Sequence, residues 1–160
     1  VKPAAQIVWF KRDLRLSDHL PLKLAIDSGK SIILLYLEEP EVWKDPHYSE
    51  RHWRFVLESL ADMNHTLRQV GLPPINVLRG DAIVILSQLF ESYNVTNIWS
   101  HREHGLDVTY SRDKAVQKLC KDSGVKWTEL MADGVRRGLK DRSDWSENFE
   151  KWLEAPLAET

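Results

Sequence analysis

Two short stretches concentrate the side chains able to do chemistry. Lys11-Arg12-Asp13-Leu14-Arg15-Leu16-Ser17-Asp18-His19 and His101-Arg102-Glu103-His104-Gly105-Leu106-Asp107 each interleave cations, carboxylates and imidazoles. Arginines grip carboxylates and phosphates through paired N–H donors, so the two stretches would form a polar, mixed-charge pocket if the fold brings them together. The first stretch has no glycine. A dinucleotide fingerprint needs glycines there for the backbone to approach a pyrophosphate, and a P-loop needs them before Lys-Ser/Thr; ordinary NAD or ATP binding at that turn is disfavoured. A plainer reading, which spacing alone favours, pairs Arg12 with Asp13 and Arg15 with Asp18 for little net stability. His101 and His104 have the spacing of a metal pair that His47 and His52 would extend, yet zinc or iron needs three or four convergent ligands, so no metal is assigned. No nucleophile elbow occurs, and no residue is assigned a catalytic role. Glu38-Glu39 and Asp144 with Glu147 read as solvated pairs, and Cys120 and Met63 as core.

The elements that position these loops follow from apolar runs. Gln6 to Phe10, Ser31 to Leu37, Ile75 to Arg79, Asn97 to Ser100 and Val125 to Leu130 read as strands buried on both faces. Between them lie helical patterns: Leu20 to Ser28; Ser49 to Val70, with Trp53, Val56, Leu60, Met63, Leu67 and Val70 as one apolar stripe; a helix capped by Asp81 and running to Tyr93; and Val108 to Ser123. Strands alternating with helices predict an α/β fold, a Rossmann-like five-stranded parallel sheet with helices on both faces. In such a sheet ligands bind beyond the carboxyl ends of the strands, where strand order reverses. If the first strand is central and the fourth is its neighbour, both polar loops line that crevice.

The chain of 160 residues, 42% hydrophobic and 29% charged, suits one domain, and its net charge of -2 argues against a strongly basic nucleic-acid binder. A single cysteine excludes a disulfide framework and points to a reducing, cytoplasmic compartment. No run reaches the roughly 18 apolar residues of a membrane helix. There is no initiator Met, and the chain reads as one domain cut from a longer protein, with residues 1–131 as the α/β domain and 132–160 as a linker segment, or a short helix from Ser146 that docks elsewhere. Of the seven tryptophans, Trp9, Trp99 and Trp127 fall in strands as core or pocket wall, and Trp53 falls on the helix stripe. Trp43, Trp145 and Trp152 fall in connecting segments, as anchors for a partner surface.

Val8-Trp9-Phe10-Lys11-Arg12-Asp13-Leu14-Arg15-Leu16-Ser17-Asp18-His19 resembles the opening of the DNA photolyase/cryptochrome family, with Lys11 for its usual Arg and His19 for its usual Asn. Tyr48 to Phe55, Arg79-Gly80-Asp81, Ser100 to Gly105, Tyr110 to Asp113, and Gly134 to Arg142 with Trp145 continue the likeness in order along nearly the whole chain. The resemblance implies the N-terminal α/β domain of a photolyase-like flavoprotein, which holds a light-harvesting antenna chromophore: methenyltetrahydrofolate, a deazaflavin or FMN, with some members holding none. It implies a partner in the C-terminal helical domain of the same protein, which carries FAD and meets damaged DNA. The full-length protein would be a deoxyribodipyrimidine photo-lyase, this chain alone being inactive. Carried over by position, the chromophore contacts are Phe10, Lys11, Arg12, Asp13 and Arg15, then Leu37 and Glu38, then His101, Arg102 and Glu103; this last group departs from the family's commoner Asn-x-x-Tyr-Glu. Two alternatives stand beside this one: an adenine-nucleotide-binding domain of the stress-protein and electron-transfer-flavoprotein type, disfavoured by the lone Gly105, and a purely structural domain.

Overall fold

The computed structural model describes residues 1–135 and 141–160. Its strands are β1 (Ala4–Phe10), β2 (Ile32–Glu38), β3 (Asn76–Arg79), β4 (Asn94–His101) and β5 (Lys126–Leu130); its helices are α1 (Leu20–Asp27), α2 (Pro40–Trp43), α3 (Glu50–Gln69), α4 (Ala82–Ser92), α5 (Asp107–Ser123) and α6 (Trp145–Leu153). All strand pairs are parallel, in the order β3-β2-β1-β4-β5. The Rossmann-like five-stranded parallel sheet expected from the sequence is therefore present. Strand order reverses between β1 and β4, so the loops after these two central strands face one another across the switch point.

Alternation along the strands splits the core in two. Ile7, Trp9, Leu35, Leu37 and Ile98 face α4 and α5. Val8, Phe10, Leu34 and Tyr36 face α1 and α3, where Leu22, Ala25, Leu60, Met63 and Leu67 meet them. Each such side chain contributes about 1.5–3 kcal/mol on full burial, against about 0–1 kcal/mol for an exposed ion pair, so packing on both faces sets the frame that holds the loops. Burial on both faces holds for β1 but not for β3, all four of whose residues are exposed. That strand lies at the sheet edge, where one side lacks cover.

Local chemistry fixes the helix ends. Asp81 accepts from the N–H groups of Ile83 (2.8 Å) and Val84 (3.1 Å) at the start of α4. His52 Nδ1 accepts from the Ser49 N–H at 3.0 Å, the return half of a capping box at the start of α3. The α3 stripe packs from Val56 to Leu67, whereas Val70 at its end is 66% exposed. Gly124, at φ 67°, closes α5 in the left-handed conformation that a Cβ disfavours. The tail forms α6, whose Trp145, Phe149 and Trp152 stack in series with centroids 5.0 and 5.9 Å apart. Beyond it, Ala158 N–H donates to Asp18 at 3.0 Å, bringing the tail onto the first loop. Of the family-like stretch Gly134 to Arg142, residues 136–140 lie outside the described residues. No helix among the described residues is long and apolar enough to cross a membrane.

Candidate functional site

At the end of β1 the chain turns on Asp13, which is 7% exposed. Its Oδ1 accepts from the Lys11 backbone N–H at 2.8 Å, and its Oδ2 lies 2.6 Å from both His19 Nε2 and His101 Nδ1. His19 Nδ1 already accepts from the Leu22 N–H at 3.1 Å as the N-cap of α1. Its proton therefore sits on Nε2 and is donated to Asp13. Burial alone would raise the Asp13 pKa, but the hydrogen bonds from His101 and His19 outweigh it and hold the carboxyl well below its ordinary range. Asp13, His19 and His101 converge closely enough to be weighed as metal ligands. The N-cap bond argues otherwise, because a metal on His19 Nε2 would force the proton onto Nδ1, against the Leu22 N–H. His47 is instead paired with Asp45 at 2.8 Å, and His52 with the Ser49 cap.

Beside this knot lies a lattice of charge. Arg112, on the first turns of α5, donates to Glu103, to Glu39 and, at 2.9 Å, to Asp113. Arg12 Nε donates to the other oxygen of Glu103 at 2.9 Å. Lys11 Nζ lies 3.2 Å from Asp113 and 3.8 Å from Glu129. The Lys11 ammonium and the Arg112 guanidinium both sit over the Trp9 ring, 4.7 and 4.9 Å from its centroid. Three cations thus face four carboxylates. The imbalance shows in the titration. Burial pushes Glu39 up despite Arg112, and burial pushes Glu129 up despite Lys11. Burial would lower Arg112, yet Glu39 and Glu103 hold it firmly protonated.

Above the lattice opens a cleft of about 860 Å³, bounded by the ends of β1 and β2, by α2 and the start of α3, and by the β4–α5 loop. One wall is aromatic. Trp43 stacks on Trp53 at 4.4 Å and 10°, and Tyr48 leans on Trp53 at 4.7 Å. Arg12 bridges the wall to the floor, its guanidinium 5.4 Å from the Tyr48 ring. Gly105 lies beside Arg12, and its φ of 137° is a backbone conformation that L side chains rarely adopt. The floor adds Tyr36, whose phenol is kept neutral by burial and by the nearby Glu39. The cleft thus offers flat apolar faces over a floor of fixed hydrogen-bonding charge. Its volume falls within the usual 300–1,000 Å³ of ligand sites.

The residues expected to contact a ligand divide between this cleft and a smaller cavity. Phe10, Lys11, Arg12, Leu37 and Glu103 line the cleft. Asp13, Arg15, His101 and Arg102 line a neighbouring cavity of about 200 Å³, which shares Lys11, Arg12 and Glu103 with the first. Glu38 lines neither and pairs sideways with Arg79 at 3.4 Å, while Glu39, one residue on, reaches the floor. The local pairs corrected by the structure are Arg12–Asp13, whose members find Glu103 and the two histidines instead, and the solvated Glu38-Glu39, of which Glu39 is 12% exposed and ion-paired. Arg15 does pair with Asp18, at 3.8 Å. Trp43 is no outward anchor and Trp53 no core residue: both belong to the cleft wall.

Sequence reasoning missed Arg112, Glu39, Tyr36 and the Trp43–Tyr48–Trp53 wall. Arg112 and Asp113 carried a signal, since Thr109, Val116 and Cys120 place them on the inward stripe of α5. Polar residues on such a stripe at the first turns point at strand ends rather than solvent.

Comparison with known proteins identifies the family of the chain. A family profile for DNA photolyase matches residues 6–136. The chain is 30% identical over 126 residues to a deoxyribodipyrimidine photo-lyase of Vibrio cholerae, covering 77% of this chain and 27% of that protein. It is 31% identical to cryptochrome-2 of Gallus gallus over 74% of this chain and 20% of that protein. A class III photolyase structure from Agrobacterium tumefaciens superposes with a TM-score of 0.75 at 26% identity, over 90% of this chain and 29% of that one. The chain therefore spans less than a third of these proteins' length. With the switch-point cleft of its parallel sheet and a match over most of its length, the chain belongs to the DNA photolyase family, as that family's N-terminal α/β domain.

Proposed function

We propose that the cleft binds a light-harvesting chromophore, a pterin such as methenyltetrahydrofolate or a flavin-like ring, deazaflavin or FMN, and that this chain is the antenna domain of a longer photolyase-like protein. The observation that carries this reading is the Trp43–Trp53–Tyr48 wall set over the Arg112–carboxylate floor. Such rings are flat and polarizable, and they carry polar edges. The wall stacks on the face, and Glu103, Glu39 and Tyr36 address the edge. When bound, the chromophore supplies near-ultraviolet or visible absorption, and its excitation passes to a second cofactor.

The chain's own residues hold and tune. Arg112 and Arg12 fix both oxygens of Glu103, so the carboxylate is held in one orientation at the edge of the cleft. The aromatic wall displaces water from the ring face. Asp13 locks the β1 loop to β4 through His101, which keeps Arg12 and Glu103 in register.

In the longer protein, residues 1–131 form the antenna domain and 132–160 a connecting segment. FAD and damaged DNA belong to a helical domain, which α6 meets through the partly exposed Trp145 and Trp152. On this reading the present chain repairs no DNA alone.

Methenyltetrahydrofolate, deazaflavin and FMN added in turn to the purified chain test the reading by absorption after equilibrium dialysis. The expected result is retention of at least one with a shifted band, and loss of retention in Arg112→Met. Equal partition of all three across the membrane would refute it.

A further inference from the structure

The smaller cavity opens beside the cleft and shares its boundary residues Lys11, Arg12 and Glu103. The two differ in charge. On the cleft floor Lys11, Arg12 and Arg112 are each matched by carboxylates, and burial raises the pKa of Glu39 there despite Arg112. A phosphate or carboxylate on a ligand gains nothing from that floor. The smaller cavity is lined by Lys11, Arg12, Arg15, Arg102 and His104 against Asp13, Glu103 and Asp133; Lys11 and Arg12 are already matched on the floor, and Asp133 lies 3.6 Å from His104, which leaves Arg15 and Arg102 to be accounted for. Of these three acids, Asp13 is fully engaged by His19 and His101, and Glu103 is engaged by Arg12 and Arg112. Arg15 uses Nε on the Asp18 carbonyl at 3.0 Å and holds a loose, exposed pair to the Asp18 carboxylate at 3.8 Å, its side chain staying 42% exposed. Arg102 is exposed, its backbone N–H anchored to the Leu130 carbonyl at 2.7 Å, and it makes no ion pair among the described residues. Two arginines thus flank a cavity of about 200 Å³ with donors to give.

From this contrast we infer that the smaller cavity is an anion subsite, taking the negatively charged chain of a ligand whose ring lies in the cleft. The inference rests on the chromophore reading and sharpens it. The ligand is bipartite, ring on the aromatic wall and anionic tail across the Arg12–Glu103 divide toward Arg15 and Arg102. The tail's charge is a phosphate in a flavin mononucleotide and a glutamyl carboxylate in a folate; either satisfies the same donors.

Two ligand pairs, each sharing one ring, test this on the full chain by fluorescence titration at low salt. The first is FMN against riboflavin. The second is methenyltetrahydrofolate against the same pterin without its glutamate. The expected result is that the anionic member of at least one pair binds about tenfold tighter, as one charge-assisted contact provides. That preference falls to near unity in Arg15→Gln/Arg102→Gln, whose melting temperature stays close to wild type because both side chains are exposed. The pair showing the preference names the source of the anion. Equal affinity within each pair that binds overturns the subsite and leaves the chromophore reading standing. A preference that survives the double variant but disappears in Arg51→Gln, a cation that lines the cleft and not the smaller cavity, also overturns it. Binding of none of the four overturns the chromophore reading and the subsite with it.

Discussion

Asp13 and Glu39 are carboxylates at the same edge of one sheet, and the fold treats them in opposite ways. Asp13 is enclosed by donors: a backbone N–H and two imidazoles meet it, and its pKa falls. Glu39 shares one arginine with Glu103 and Asp113, and its pKa rises. The first group is a satisfied knot that ties β1, α1 and β4 together. The second belongs to a floor with more negative charge than it can pair. Crowded, perturbed groups in a cleft mark a binding surface, whereas a balanced buried network marks a structural one.

The sharpest way to break this comparison is to delete each carboxylate. Asp13→Ala removes the acceptor of three buried donors and should cost about 3–5 kcal/mol by denaturant unfolding. Glu39→Gln should cost under about 1 kcal/mol, because it relieves repulsion as it loses a pair. Equal costs would mean the two sites do not differ in kind. Arg112→Met, with three carboxylates left beside an apolar side chain, should cost about 2–3 kcal/mol and abolish chromophore retention. Arg112→Lys should recover part of the stability but little of the binding, since an ammonium cannot hold Glu39 and Glu103 in fixed fork geometry.

Acid separates the two regions by sign. The Asp13 pKa lies below its ordinary 3.8 when folded. Its stabilisation is full above that value and is lost as pH falls toward the folded value. Glu39 lies above its ordinary 4.5, as Glu129 does. The folded state takes up those protons first, so stability rises as pH falls through the raised values, and the gain is complete below about 4.5. Stability against pH should therefore pass through a maximum on the acid side of neutrality. Glu39→Gln should flatten the upper limb and Asp13→Asn the lower one, read as denaturation midpoints across pH 3 to 7. A small effect is also expected at the wall: Trp53→Ala should weaken chromophore binding about tenfold, with a stability loss near 1 kcal/mol, because the ring is only half-buried and packs on two partly exposed rings, Trp43 and Tyr48.

The sheet was legible because β1, β2 and β4 are written as Ile/Val/Leu/Trp runs bounded by polar loops, and because Asp81 marks the start of a helix between strands. The switch point followed once β1 proved central. The short α2 was not legible: Pro40 to Trp43 is one turn, and its proline reads equally as a turn. Nor was the pairing within the loops. Sequence neighbours such as Arg12 and Asp13 looked like partners, yet side chains at a strand's end diverge, and each found its partner about ninety positions away. The choice between Glu38 and Glu39 hinged on one residue of register, which composition does not carry. The aromatic wall draws Trp43 and Trp53 from two different helices and Tyr48 from the loop between them, so no single periodicity announces it.

The central claim is that the switch-point cleft seats a planar chromophore between the aromatic wall and the Arg112 floor. Circular dichroism in the chromophore's own absorption band tests it most directly, because a ring tumbling free gives a weak signal and a ring fixed against asymmetric charge gives a strong one. The chain titrated with FMN, deazaflavin or methenyltetrahydrofolate should develop a saturable induced band with at least one of them, lost in Trp53→Ala/Arg112→Met while the far-ultraviolet spectrum is retained. A band that persists unchanged in that double variant would place the chromophore elsewhere, and the absence of any band with all three would contradict the account.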